Sequence, residues 1–310
     1  MPLWIPIAFS AVVLWVSGNL IDKYLIEKFR HDDDADTDAS TLFMFSSLFA
    51  LPTALFALIM GANFHITLLE AGAAVTAGLL NGIYLLLYLY AIAKTELSRT
   101  IPFFQSIPIF TAFFGWILLH ETLTHTQLIA GAFITAGAFI LSYHIKHKSF
   151  LFRPTLLILG SSAAISLQFT LFKYTALNTT YWTSALWSSI GLMLLGLIVF
   201  VSNKRSRTHI EHIFMKREYR IITVNLCNEF IDNVAIFTFL FATLLGPIAL
   251  VQTVNAYQPI LLLTATYLLA KFGYGFLKED TSSTTFIQKT VGIFLIGIGS
   301  AFIYVPLISS

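Results

Sequence analysis

Apolar residues in this chain come in long blocks, with short polar gaps between them. Blocks of about 20 residues recur, the length a helix needs to cross the hydrocarbon of a bilayer. Ten such runs are predicted, over 3–22, 40–60, 70–93, 98–119, 126–144, 154–176, 181–201, 220–243, 248–271 and 286–305. Lipid offers the backbone no hydrogen-bond partner, so only helices or closed barrels span it. Barrel strands alternate apolar and polar positions in short segments, and these runs do not. The pattern predicts an all-α integral membrane protein with ten transmembrane helices.

Composition agrees. The chain is 57% hydrophobic and 11% charged, with mean hydropathy +0.79. A soluble domain carries about 25% charge, and no hydrophilic stretch here is long enough to form one. The net charge of +2 says little about partners because the charges are confined to short loops. Nothing resembles a nucleic-acid surface. The single cysteine, Cys227, excludes an internal disulfide and a cysteine-rich metal site. The first run lacks a basic leader and a small-residue cleavage pattern, so it is expected to stay as a membrane helix.

Two connectors stand out. "EKFRHDDDADTDAS" follows the first run, and its alternating Asp32, Asp34, Asp36 and Asp38 invite a calcium reading. An EF-hand loop also needs a central glycine and a closing glutamate. Both are missing, so a solvated acidic loop is expected. "SNKRSRTHIEHIFMKREYR", between the seventh and eighth runs, is basic and is expected at a phospholipid surface.

The chain repeats itself. "YAIAKTELSRTIPFFQSIPIF" (90–110) aligns without a gap on "FATLLGPIALVQTVNAYQPIL" (241–261), with Ala91 on Ala242, Pro108 on Pro259 and Ile109 on Ile260. In the same register Asn81 falls on Asp232. "LIDKY" (20–24) sits at nearly the same offset as "TLFKY" (170–174), pairing Lys23 with Lys173, and "HET" (120–122) resembles "KED" (278–280) after a short insertion. Five helices per half is an odd number, so the second half must run inverted relative to the first. Inverted repeats of this kind point to a secondary transporter with its site at the repeat interface.

The stretch "AKTELSRTIPFFQSIPIFTAFFGWILLHETLTHTQLIAGAFITAGAFILSY" (93–143) resembles an EamA-type domain of the drug/metabolite transporter superfamily. The resemblance rests on Ser98-Arg99 at a helix opening, Pro102 and Pro108 following, an aromatic-aliphatic run, the "HETLT" turn and a Gly-rich last helix. His120 stands where glycine is usual, and 241–304 resembles the pattern more loosely. The resemblance implies two inverted five-helix EamA repeats, 1–146 and 153–310, around a central cavity lined mainly by helices 1, 3, 4, 6, 8 and 9. It implies a carrier of amino acids, amines, nucleotide precursors or other small metabolites.

Candidate site residues follow from polarity inside apolar runs. In the eighth run Asn225, Glu229 and Asp232 fall within about 60° on a helix, with Asn228 beside them. Exposing a central aspartate to lipid costs roughly 2.5 to 3.5 kcal/mol, so this stripe should face inward. It reads as a cation or proton site or as a structural polar cluster. Low dielectric disfavours a charged carboxylate, which makes proton coupling physically available. In the third run Asn81, Tyr84 and Tyr88 share a stripe suited to an amine or ring, or to a helix contact. In the first run Trp15, Gly18, Asn19 and Asp22 share a face, with Asp22 and Lys23 expected near the membrane interface. Gln105, Ser106, Gln252, Asn255, Tyr257 and Gln258 come from the fourth and ninth runs, and Gln168 from the sixth. Pro108 and Pro259 remove a backbone donor at matching positions and are read as helix kinks. Lys173 is expected to snorkel to a surface, Glu121 and Glu279 to fix loops or cap helices, and Trp4, Trp116 and Trp182 to sit in the interfacial belt.

Enzyme readings fare poorly. His144 and His147 have no partner set for a metal, and HExxH, GxSxG and P-loop motifs are absent. No cofactor is expected. Lys and Arg cluster after the first, third, fifth, seventh and ninth runs, while the opposite side holds only Lys173. The positive-inside rule therefore puts both termini outside, whereas the resemblance puts them inside.

The expected function is secondary active transport of a small metabolite (amino acid, amine or related compound) by alternating access, in a bacterial inner membrane. The partners expected are that substrate, the lipid bilayer and protons. The alternatives are a flippase for a lipid-linked head group, or a non-transporting membrane assembly or lipid-binding protein.

Overall fold

The computed structural model describes residues 2–29, 35–94, 103–104, 106–142, 152–215, 219–271, 290–299 and 302. Among them every regular element is helical: α1 (Trp4–Phe29), α2 (Ala35–Leu48), α3 (Ala50–Ile59), α4 (Leu68–Lys94), α5 (Ile107–Leu119), α6 (His125–Ser142), α7 (Phe152–Asn178), α8 (Tyr181–Ser202), α9 (Lys204–Met215), α10 (Tyr219–Leu245), α11 (Ile248–Thr253), a 3₁₀ turn (Val254–Tyr257), α12 (Gln258–Lys271) and α13 (Thr290–Gly299). Among the described residues, six spans are long and apolar enough to cross a membrane: Trp4–Asp22, Ala39–Ile59, Leu68–Ala93, Thr155–Asn178, Tyr181–Ser202 and Thr223–Leu245. Ile107–Leu119, Ile248–Leu262 and Thr290–Gly299 are shorter apolar helices. Large apolar side chains such as Ile59, Leu68, Trp116, Leu197, Phe230 and Phe294 point outward and exposed. The chain is an integral membrane helical protein.

Helix ends follow local chemistry. Thr67 and Glu70 cap α4 reciprocally: the Thr67 amide donates to Glu70 Oε2 at 2.8 Å, and the Glu70 amide to Thr67 Oγ1 at 3.3 Å. Thr124 and Gln127 do the same for α6, at 2.9 and 3.3 Å. The Thr180 hydroxyl caps α8 by accepting from the Thr183 amide at 3.1 Å. His120 ends α5 in the left-handed region at φ 53°.

Prolines alter the helix in two of the predicted runs. Pro52 cannot donate to Leu48, and the second run divides at Phe49 into α2 and α3. Pro259 cannot donate to Asn255; the carbonyl of Asn255 instead accepts from the Gln258 amide, within the 3₁₀ turn. Pro108 and Pro259 each stand second in a helix, α5 and α12, where a missing donor is tolerated. Pro108 marks a helix start, whereas Pro259 lies within an unbroken helical stretch that passes through the 3₁₀ turn.

Other expectations are revised. The acidic connector is partly helical, since α2 begins at Ala35 and includes Asp36 and Asp38. The basic connector forms α9, with the Arg207 guanidinium 5.6 Å from the Phe200 ring centroid. Trp4 is buried rather than interfacial, against Gly246. Trp182 packs edge-on to Phe56 at 5.4 Å. Gln105, Ser98, Arg99, Pro102, His144, His147 and Glu279 lie outside the described residues.

Three extensive interfaces, α4 with α7, α1 with α10 and α4 with α8, dominate the packing. Small residues permit the closest approaches. A Cβ on Gly78 of α4 would overlap the Ser188 carbonyl, and one on Gly191 of α8 the Val75 carbonyl. At α6 and α13, a Cβ on Gly137 would come within 2.7 Å of the Gly292 carbonyl, and one on Gly299 within 2.7 Å of the Ala130 carbonyl. Membrane helices pack through such small-residue contacts because lipid provides no hydrophobic drive between them.

Candidate functional site

Helices α1, α2, α4, α8 and α10 enclose a cavity of about 90 Å³. Three carboxylates line it: Asp22 from α1, and Glu229 and Asp232 from α10. Trp15, Asn19, Asn81, Tyr84 and Tyr88 line it too, as do Ser46 and Asn233. The register-matched pair Asn81 and Asp232 thus share one cavity.

Neighbouring polar groups hold the carboxylates. Asn228 Nδ2 donates to Asp22 Oδ1 at 2.7 Å, deep in the protein. The Tyr88 hydroxyl donates to Asn19 Oδ1 at 3.1 Å. Ser46 donates its hydroxyl to Glu229 Oε1. Asn233 donates to the Glu229 carbonyl at 2.8 Å and accepts from Thr53 Oγ1 at 3.0 Å. Asp232 lies directly against Gly18, where any Cβ would overlap its carboxylate.

Aromatic faces complete the wall. The rings of Tyr84 and Tyr88 lie nearly parallel, 10° apart in plane, with centroids 6.2 Å apart. Trp15 tilts against Phe239 at 4.9 Å. Among the described lining residues there is no lysine, arginine or histidine. Nor, among the described residues, is any group of three or more His, Cys, Asp or Glu side chains placed to hold a metal ion. This arrangement can exchange protons or surround an ammonium group with acid and aromatic faces.

A smaller recess of about 40 Å³ adjoins it, sharing Asn81, Leu192, Asn233 and Ile236. Gln168, Ser188 and Ser189 line the far side of this recess. A third void, of about 720 Å³, lies among α5, α6, α7 and α11. Its described lining, including Pro108, Ile109, Leu128 and Phe139, is mainly apolar and holds no ionisable residue, which suits hydrocarbon rather than charge.

Other predicted residues lie apart. Asn225 is buried one turn from Asn228, outside the cavity lining, with neither carboxamide atom partnered. Asn255 Nδ2 donates to Gln252 Oε1 at 2.7 Å, and this pair belongs to the α11 region instead. Tyr257 meets Phe9 edge-on at 5.9 Å.

Two charged residues reverse their expected settings. Asp22, expected near the interface, is buried in the cavity. The apolar run ends there, but α1 continues to Phe29 through polar residues, so the end of the apolar run is not the end of the helix. Lys173, expected to reach a surface, is only 5% exposed. It donates to Glu121 Oε1 at 2.6 Å and to the Gly246 carbonyl at 2.7 Å. Ser46 and Ser188 went unpredicted because isolated serines in apolar helices usually bond their own backbone.

Residues 2–143 match the EamA-like transporter family. The match covers a little under half of the chain and likens this segment to an EamA-like transporter domain. The segment holds Asp22, Ser46, Asn81, Tyr84 and Tyr88 of the cavity, and members of the family are membrane transporters rather than enzymes. No curated protein matches the chain. A solved structure titled only "Crystal structure of protein" is similar in fold, with a TM-score of 0.63 at 14% identity, covering 96% of this chain and 95% of that one. The similarity in fold therefore extends well beyond the EamA-like domain.

Proposed function

We propose that this chain is a secondary active transporter for small organic amines, working by alternating access, with protons competing for the same carboxylates. The observation that carries this reading is the cavity itself. Three carboxylates and three aromatic side chains line one cavity, with no basic residue among the described lining. Carboxylates removed from water need a proton or a cation. An ammonium group satisfies that need, and the aromatic faces add to its attraction. An amino acid fits less well, because its own carboxylate would meet three acids and no basic residue among the described lining.

In this proposal the two halves, 1–146 and 153–310, form inverted EamA repeats. The helix pairing supports it: exchanging the first run with the sixth and the third with the eighth turns the α4–α7 contact into the α10–α1 contact. A cavity of about 90 Å³ admits only a small head group. Transport then requires the helices around it to part on one side at a time.

The test is flux in proteoliposomes. Uptake of a small labelled amine should depend on a pH gradient. It should be lost in Asp232→Asn and Glu229→Gln proteins that still fold. Unchanged uptake and pH dependence in both variants would assign the carboxylates a structural role.

A further inference from the structure

We propose that the small recess beside the carboxylates is a second subsite, which takes a neutral hydrogen-bonding group on the same substrate. The inference rests on the amine reading and narrows it to amines that carry a hydroxyl or amide, such as amino alcohols. Gln168 on α7 is 2% exposed, and its Oε1 has no partner. Ser188 on α8 also lines the recess with an unpartnered, buried Oγ. Buried polar atoms are almost always hydrogen-bonded, so two orphans facing one space call for an occupant.

Two polar neighbours of the recess, Ser189 and Thr53, are already engaged elsewhere. The Ser189 hydroxyl donates to the Ala185 carbonyl at 2.8 Å, and Thr53 Oγ1 donates to Asn233 and also lies 2.8 Å from the Phe49 carbonyl. The volume, about 40 Å³, holds a few water-sized groups and no more. It lies directly beside the carboxylate cavity, with Asn81 and Asn233 lining both spaces. A short molecule can therefore place its ammonium among the acids and its hydroxyl or amide between Gln168 and Ser188. The hydroxyl donates to Gln168 Oε1 and accepts from Ser188. Sites built to hydrogen-bond a polar group reject analogues lacking it, because their own buried atoms are then left unpaired.

Ethanolamine and propylamine are nearly equal in size, and a methyl in the second replaces the hydroxyl of the first. Binding of both to the full chain in lipid nanodiscs, by calorimetry, tests the subsite. The wild type should prefer ethanolamine by about tenfold or more. Gln168→Leu and Ser188→Ala should each bring the two affinities close together, mainly by weakening ethanolamine. Asp232→Asn should weaken both amines alike. Equal wild-type affinities would overturn the subsite while leaving the amine reading intact, and so would recess variants that weaken both amines equally. If neither amine bound the wild type, both the amine reading and the subsite would fall.

Discussion

Lys173 Nζ stands 2.6 Å from Glu121 Oε1, and the other Glu121 oxygen accepts from the Ile248 amide at 2.8 Å. Together with the Gly246 carbonyl, this ion pair joins the end of α5, the end of α7 and the turn between α10 and α11. It lies where the EamA-like domain meets the second half of the chain. Removing one partner of a buried pair leaves a charge without compensation and costs about 3–5 kcal/mol, near the low end here because Glu121 is partly exposed. Lys173→Met and Glu121→Gln should each destabilise the protein to denaturant. The double variant should recover much of the loss, since the carboxamide oxygen introduced at position 121 can still accept from the Ile248 amide and no charge is stranded. Additive losses in the double variant would show that the pair is not coupled.

Gly18 is a position where one carbon acts on the site. A Cβ there would overlap the Asp232 carboxylate, which ends a side chain able to rotate. Gly18→Ala should therefore fold normally and displace Asp232. Amine affinity should fall severalfold without loss of thermal stability. In an Asp232→Ala background the same substitution should have little further effect, and a double-mutant cycle measures this coupling.

The contact of α4 with α8 sets the width of the recess. Gly78 and Gly191 bring backbone against backbone, and the carbonyls they meet cannot rotate away. Alanine at either site should push the helices apart, costing about 1–3 kcal/mol. Gly72, on the same helix as Gly78, has nothing within 4 Å of its would-be Cβ. Gly72→Ala should be neutral or slightly stabilising through helix propensity. Comparing the unfolding of these variants in mixed micelles separates packing from propensity.

The carboxylates of α10 were legible in sequence because hydrocarbon makes any buried charge conspicuous. Asn81 was legible through the repeat register, which set it on Asp232, and both face the cavity. Asp22 was visible on the right face of its helix, but depth was misjudged because polar residues carry α1 beyond its apolar run. The Lys173–Glu121 pair was not legible at all, since the two residues come from different halves and nothing local links them. The irregularity in the ninth run was foreshadowed by Pro259, although its form, a 3₁₀ turn, depended on backbone geometry that composition does not encode. The recess beside Gln168 is likewise a property of packing, invisible in any single helix.

Asn228 offers the most direct probe of how the cavity is held. Its Nδ2 donates to Asp22 at 2.7 Å and so ties α10 to α1. A hydrogen bond to a charged group contributes about 1.5–3 kcal/mol. Asn228→Leu matches the volume, removes the donor and leaves Asp22 with fewer partners. Stability should fall by about that amount if Asp22 is charged, and by less if it carries a proton. Adding Asp22→Asn to Asn228→Leu should restore most of the loss, because a neutral amide is easier to bury than a carboxylate. Amine binding should respond differently: the single Asn228 variant retains all three acids, and the double variant loses one. A stability rescue with weakened amine affinity is the expected signature of Asp22 as both a structural strain and a ligand. Rescue with unchanged affinity would leave Asp22 outside the binding role and confine it to Glu229 and Asp232.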